Sequence, residues 1–138
     1  MRVILDTNVI IAAFRSSTGA SHAILLAIHR RQVTPVISVP LLMEYEEVSK
    51  RPGMVPNLTL TQIDTVLNQI CSRAEARKIF FQWRPFLPDP DDDMLVELAI
   101  AANVSYIVTG NIRDVSPARE LGIQVLEPKE FINLIQQP

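Results

Sequence analysis

One cysteine, four glycines, two histidines and one tryptophan in 138 residues already remove several classes of protein. The lone Cys71 cannot form an internal disulfide, so a disulfide-built scaffold is excluded and a reducing compartment is favoured. The glycines form neither a GxGxxG turn nor a Walker loop, so a backbone cradle for a nucleotide is not supported. His22 and His29 share no HxxxH or HxH spacing, and Cys71 lies on an apolar helical face. A zinc site or a Cys-His nucleophile is therefore disfavoured. Charge of one sign is also missing: 13 Lys+Arg stand against 15 Asp+Glu, a formal net charge of -2. Nothing global pulls the chain towards nucleic acid, so a phosphate-bearing partner must be held by local charge or by metal. There is no long hydrophobic run either. The stretch from Val3 to Phe14 is broken by Asp6, Thr7 and Asn8, too short and too polar for a membrane span and wrongly built for a signal peptide. These absences lead us to expect a soluble, cytoplasmic protein with no membrane partner.

What is present is a core. Residues of apolar type make up 48% of the chain and charged ones 20%, enough for one ordered domain over 1–138. Arg2 to Leu5 is apolar and β-branched and stops at Asp-Thr-Asn, three residues that favour helix caps, so a buried strand runs straight into a helix. Ala20 to Arg31 places Ala23, Leu26, Ala27 and Arg30 at helical spacing. Val36 to Ser38 reads as a second strand, and Pro40 as a first-turn proline of a helix over Leu41 to Lys50. Between the proline-bearing stretches 51–56 and 84–90, Ile63, Val66, Leu67, Ile70, Cys71 and Ala74 form one apolar helical face. A helix opened by Asp91-Asp92-Asp93 puts Leu95, Leu98, Ala99 and Ala102 on one side. Strands follow at Val104 to Val108 and Ile123 to Leu126, and a last helix runs from Pro128 through Ile135. Short, non-alternating apolar strands between helices predict an α/β sandwich, a parallel sheet covered on both faces.

In such a sheet, ligands bind beyond the carboxyl ends of the strands. Asp6 ends the first strand, although an acid there also serves simply as a helix cap. Glu44 lies in the first turns of the helix after the second strand, where a solvated glutamate is equally at home; its neighbours Glu46 and Glu47 show that not every acid in that turn has a role. Asp89, Asp91, Asp92 and Asp93 form the densest charge run, which reads as a solvated loop unless it converges with Asp6 and Glu44. After the strand ending at Val108, Thr109, Asn111 and Asp114 offer oxygen atoms on the same edge, or an ordinary turn in which Asp114 caps a helix around Pro117. Each feature is weak alone. Together they place hard oxygen donors about one point, a set that suits Mg²⁺ or Mn²⁺.

The segments Leu5-Asp6-Thr7-Asn8-Val9, the helix-borne Glu44, Pro88 to Ala99, and Tyr106-Ile107-Val108-Thr109-Gly110-Asn111 resemble the motifs of PIN-domain ribonucleases, in the expected order and over nearly the whole chain. The likeness is to the small prokaryotic branch that includes VapC-type toxins of toxin–antitoxin pairs. It implies a PIN-like, Rossmann-like domain that hydrolyses RNA, with Asp6, Glu44 and Asp93 as metal-binding acids and Asp92 the alternative to Asp93. Where much of the family has Asp after Thr-Gly, this chain has Asn111, and Asp114 is the candidate substitute. One or two ions are implied, about 3.5–4 Å apart if two, acting on RNA in single-stranded regions, with an antitoxin protein and a second copy of the chain as further partners. Thr7, Asn8, Arg15, Thr109 and Arg113 are candidate substrate contacts. Arg30-Arg31 either steer phosphate or are solvated surface, and Trp83 and Phe86, flanking Arg84, either stack a base or pack a loop.

Two other readings remain open. A degenerate domain that binds RNA or a partner without cutting is kept alive by Asn111. A phosphoryl-transfer enzyme with Asp6 as nucleophile is disfavoured, because the Asp-x-Asp pattern is Asp-Thr-Asn here.

Overall fold

A computed structural model describes residues 1–78, 87 and 92–137. Its framework is a five-stranded sheet: β1 (Arg2–Leu5), β2 (Thr34–Ile37), β3 (Glu75–Ala76), β4 (Tyr106–Val108) and β5 (Gln124–Leu126). Every strand pair is parallel, in the order β3-β2-β1-β4-β5. The helices are α1 (Thr7–Arg15), α2 (Ala20–His29), α3 (Val39–Ser49), α4 (Leu60–Arg73), α5 (Asp93–Ala102), α6 (Ile112–Val115) and α7 (Pro128–Gln136), with a 3-10 turn at Ser116–Leu121. Val3, Ile4 and Leu5 of β1 are at most 1% exposed. Consecutive strand residues point to opposite faces, so both faces of the central strand are covered. Burial of each such side chain contributes roughly 1.5–3 kcal/mol.

The order of the strands fixes where a site can form. From β1 the chain moves outward to β2 and β3, then returns to lay β4 on the other side of β1. The direction of winding therefore reverses between β1 and β4, which opens a crevice at their carboxyl ends. Asp6 stands there, its N–H donating to the Val108 carbonyl at 2.9 Å.

Local sequence accounts for most boundaries. Ser38 caps α3 by accepting from the Leu41 N–H at 3.3 Å, with Pro40 in the first turn; the strand before it accordingly stops at Ile37, not Ser38. Thr59 and Gln62 form a reciprocal capping box at the start of α4, as the S/T-x-x-E/Q pattern requires. Gly122, at φ 81°, closes the 3-10 turn in a left-handed conformation that side chains resist.

Three expectations need correction. The buried side of α2 is Ser21, Ile24, Ala27 and Ile28, while Leu26 is 41% exposed; the apolar face is turned from the one predicted, because α2 has apolar residues nearly all round and its packing partners choose the side. β3 follows the helical face ending at Ala74, where no strand was expected. It is a two-residue edge strand whose ladder partners are Val36 and Ile37. Asp114 does not cap a helix at Pro117; it lies inside α6, for which Asn111 is the N-cap.

Candidate active site

Asp6 is the pivot. It is 6% exposed and held on three sides: Oδ1 accepts the Thr7 N–H at 2.7 Å, and Oδ2 accepts the Thr109 hydroxyl at 2.8 Å and the Asn8 amide at 3.2 Å. It is thus a helix cap and a cleft residue at once. Thr7 joins it to the next acid, since its hydroxyl donates to Glu44 Oε2. Thr7 therefore touches two carboxylates, that of its neighbour Asp6 and one 37 positions further along the chain.

Behind them stands Tyr45, 1% exposed, whose hydroxyl donates to the carbonyl of Leu5, the last residue of β1. This bond ties α3 to the strand end and so sets Glu44 against Asp6. Burial, and then the negative charges of Asp6 and Glu44, hold the phenol well above its ordinary value. It stays a neutral donor.

Across the switch point, Thr109 is completely buried. Its hydroxyl donates to Asp6 and accepts the Asn111 N–H at 2.9 Å, so from this buried position it orients the acid. The Gly110 N–H donates to Asn8 Oδ1 at 2.9 Å, and a Cβ at Gly110 would lie 3.4 Å from that oxygen. Glycine is what allows the close approach.

These elements enclose an open cleft of about 710 Å³ whose walls include Asp6, Thr7, Asn8, Glu44, Asp92 and Asn111. Arg15 and Arg51 add positive charge, and Ile11, Ala12, Val48 and Met54 supply apolar wall. The structure thus brings acids from β1's end, α3 and α5's start to one hollow. Asp93 goes elsewhere: it is 7% exposed, its Oδ1 accepts the Leu87 N–H at 2.8 Å, and Asp92 takes the place on the cleft wall. Asp114 is not on the wall either, but it accepts the Asn111 amide at 2.8 Å. Arg113 is exposed and outside the lining. Arg15 lines the cleft with its guanidinium on the Met54 carbonyl, 2.6 Å away. Asp89, Asp91, Trp83, Arg84 and Phe86 lie outside the described residues. Tyr45 and Arg51 were not singled out from sequence. The sole signal for Tyr45 was its place beside Glu44, and Arg51 had been read as part of a proline-bearing connection.

The donors facing the cleft are all oxygen, the chemistry of a hard divalent cation. Among the described residues no three His, Cys, Asp or Glu side chains stand close enough together to hold a metal ion. The donor types fit such an ion; the acids are gathered on one cleft without being drawn into a tight cluster.

The chain matches the family description "PIN domain" over residues 2–113. No curated protein sequence matches it. Among solved structures it is similar to a chain in the crystal structure of VapBC2 from Rickettsia felis bound to a DNA fragment from their promoter, with a TM-score of 0.60, 22% identity, and coverage of 92% of this chain and 98% of that one. At that identity the likeness speaks for the fold.

Proposed function

The chain belongs to the PIN-domain family, whose members are generally nucleases, and from that premise we propose that it hydrolyses phosphodiester bonds of RNA with the help of Mg²⁺ or Mn²⁺. The observation that carries this reading is the convergence of Asp6, Glu44 and Asp92 on one cleft at the switch point of the sheet. Like charges so placed repel one another, and a cation relieves the repulsion between them and an incoming phosphate.

In this reading Asp6, Glu44 and Asp92 hold one or two ions, with Asn111 as a neutral fourth donor. The chemistry supplied by a cation in such a site is the activation of water and neutralisation of the charge that develops on phosphate. The protein's own part is positioning. Thr7, Thr109 and Asn8 fix the Asp6 carboxylate, and Thr7 orients Glu44. Arg15 and Arg51 on the rim attract the phosphate backbone. Because the structure it resembles is of a two-component assembly, we further propose that this chain is the toxin of a toxin–antitoxin pair.

The test is degradation of single-stranded RNA by the purified protein on addition of Mg²⁺ or Mn²⁺, arrested by EDTA and restored by excess metal. Absence of cleavage with either ion would sink the proposal. A second reading, a domain that binds RNA or a partner without cutting, is favoured by the neutral Asn111 and by the loose spacing of the acids. Titration calorimetry separates the two, since only the nuclease takes up Mn²⁺ with heat that vanishes in Asp6→Asn.

A further inference from the structure

Beside the acidic cleft lies a second hollow of about 460 Å³, whose walls include Ser16, Gly19, Ala20, Ser21, Glu127 and Lys129. Ala12 lines both spaces, and Gly110 of this one adjoins Asn111 of the other. The two are thus neighbours with Ala12 as a shared wall. The hollow sits at the amino end of α2, a ten-residue helix capped by Gly19, which has no side chain to satisfy the first-turn N–H groups. Such an end carries partial positive charge and directed donors, the features that bind phosphate.

A separate observation points to a ligand. Ser21 is 8% exposed and lines the hollow, and among the described residues its hydroxyl has no hydrogen-bond partner. Among the described residues the one occluded side-chain polar atom without a partner is Arg73 Nε, so the Ser21 hydroxyl opens onto the hollow. A serine this buried is ordinarily bonded, to protein or to something bound. Lys129 stands on the same wall and offsets the charge of Glu127, leaving the N–H and O–H donors to select the ligand.

We propose that this hollow is a phosphate subsite for the polynucleotide, holding a backbone phosphate next to the one over the acidic cleft. The proposal rests on the nuclease reading for the polymer, but its anion chemistry rests on α2 and Ser21. A chain lying across Ala12 would meet donors here after passing the acids, which helps to explain how a protein of net charge -2 retains RNA.

The experiment uses the full chain in EDTA, so that nothing is cut. Amide spectra are recorded on adding inorganic phosphate, and affinity for a fluorescent single-stranded RNA is measured for wild type, Ser21→Ala and Lys129→Ala. Phosphate should shift the Ala20, Ser21 and His22 amides. Ser21→Ala should weaken RNA binding about threefold; Lys129→Ala should weaken it about fivefold at low salt and lower the salt slope by about 1. Unshifted α2 amides together with wild-type affinity in both variants would overturn the subsite even if the protein cuts RNA normally. Shifted amides with unchanged RNA affinity would assign the hollow to a free anion and overturn the polynucleotide role. Shifts and affinity losses in a protein that never cleaves would uphold the subsite while the nuclease reading fails.

Discussion

At the amino ends of the strands Arg2 grips Glu75 with two bonds, of 3.1 and 2.5 Å, and donates to the Ala102 and Asn103 carbonyls at the end of α5. At the carboxyl ends, Asp6, Glu44 and Asp92 face one cleft. The first arrangement matches opposite charges and completes a helix terminus. The second gathers like charges on a rim where Arg51 is already paired with Glu47. One end of the sheet pairs its charges, the other gathers carboxylates on an open cleft, as ligand sites do.

This contrast can be broken in several places. The largest effect should come from Asp6→Asn, which keeps an acceptor for the Thr7 N–H but removes a central charge. Cleavage of RNA should fall by more than about a hundredfold while circular dichroism shows the fold intact; near-normal cleavage would remove Asp6 from the chemistry.

The adjacent acids of α5 should then separate. Asp92→Asn should cut activity and Mn²⁺ binding with little change in stability. Asp93→Ala should instead lower stability by about 1–3 kcal/mol, because the buried Leu87 N–H loses its acceptor. Urea unfolding alongside RNA cleavage reads both, and the opposite pattern would restore Asp93 to the cleft.

Tyr45→Phe should cost about 1–2 kcal/mol by leaving the Leu5 carbonyl without its phenolic donor. It should also raise the metal concentration needed for activity, as Glu44 loosens against Asp6. A stability loss with unaltered metal dependence would make Tyr45 a packing residue alone.

The smallest effect belongs to the amino end. Arg2, and to a lesser degree Arg77, holds the Glu75 carboxyl below its ordinary value. A carboxyl depressed in the folded state contributes stability above its unfolded pKa, and the contribution fades as pH falls through the folded value. Glu75 is partly open to solvent, so Arg2→Ala should lose at most about 1 kcal/mol at neutral pH. The difference from wild type should shrink as pH falls below the ordinary carboxylate range, when both are compared by denaturant midpoint.

The alternation of strand and helix is already written in local sequence. Apolar periodicity, capping residues and prolines act within a few residues of each other, so Arg2–Leu5, Thr59 with Gln62, and Pro128 declare their elements locally. Asp6 was legible for the same reason, as an acid at a strand end. The register of Asp92 against Asp93 was not, because two adjacent acids at a helix start differ only in which way the helix turns them. Only packing decided that Asp93 turns inward to the Leu87 N–H. Tyr45 and the short β3 were likewise hidden, and Thr109 was legible as an oxygen donor on the strand edge but not as the hydroxyl that holds Asp6. Their roles come from bonds to residues 40, 103 and about 40 positions away, and bonds over such separations exist only once the sheet has been assembled.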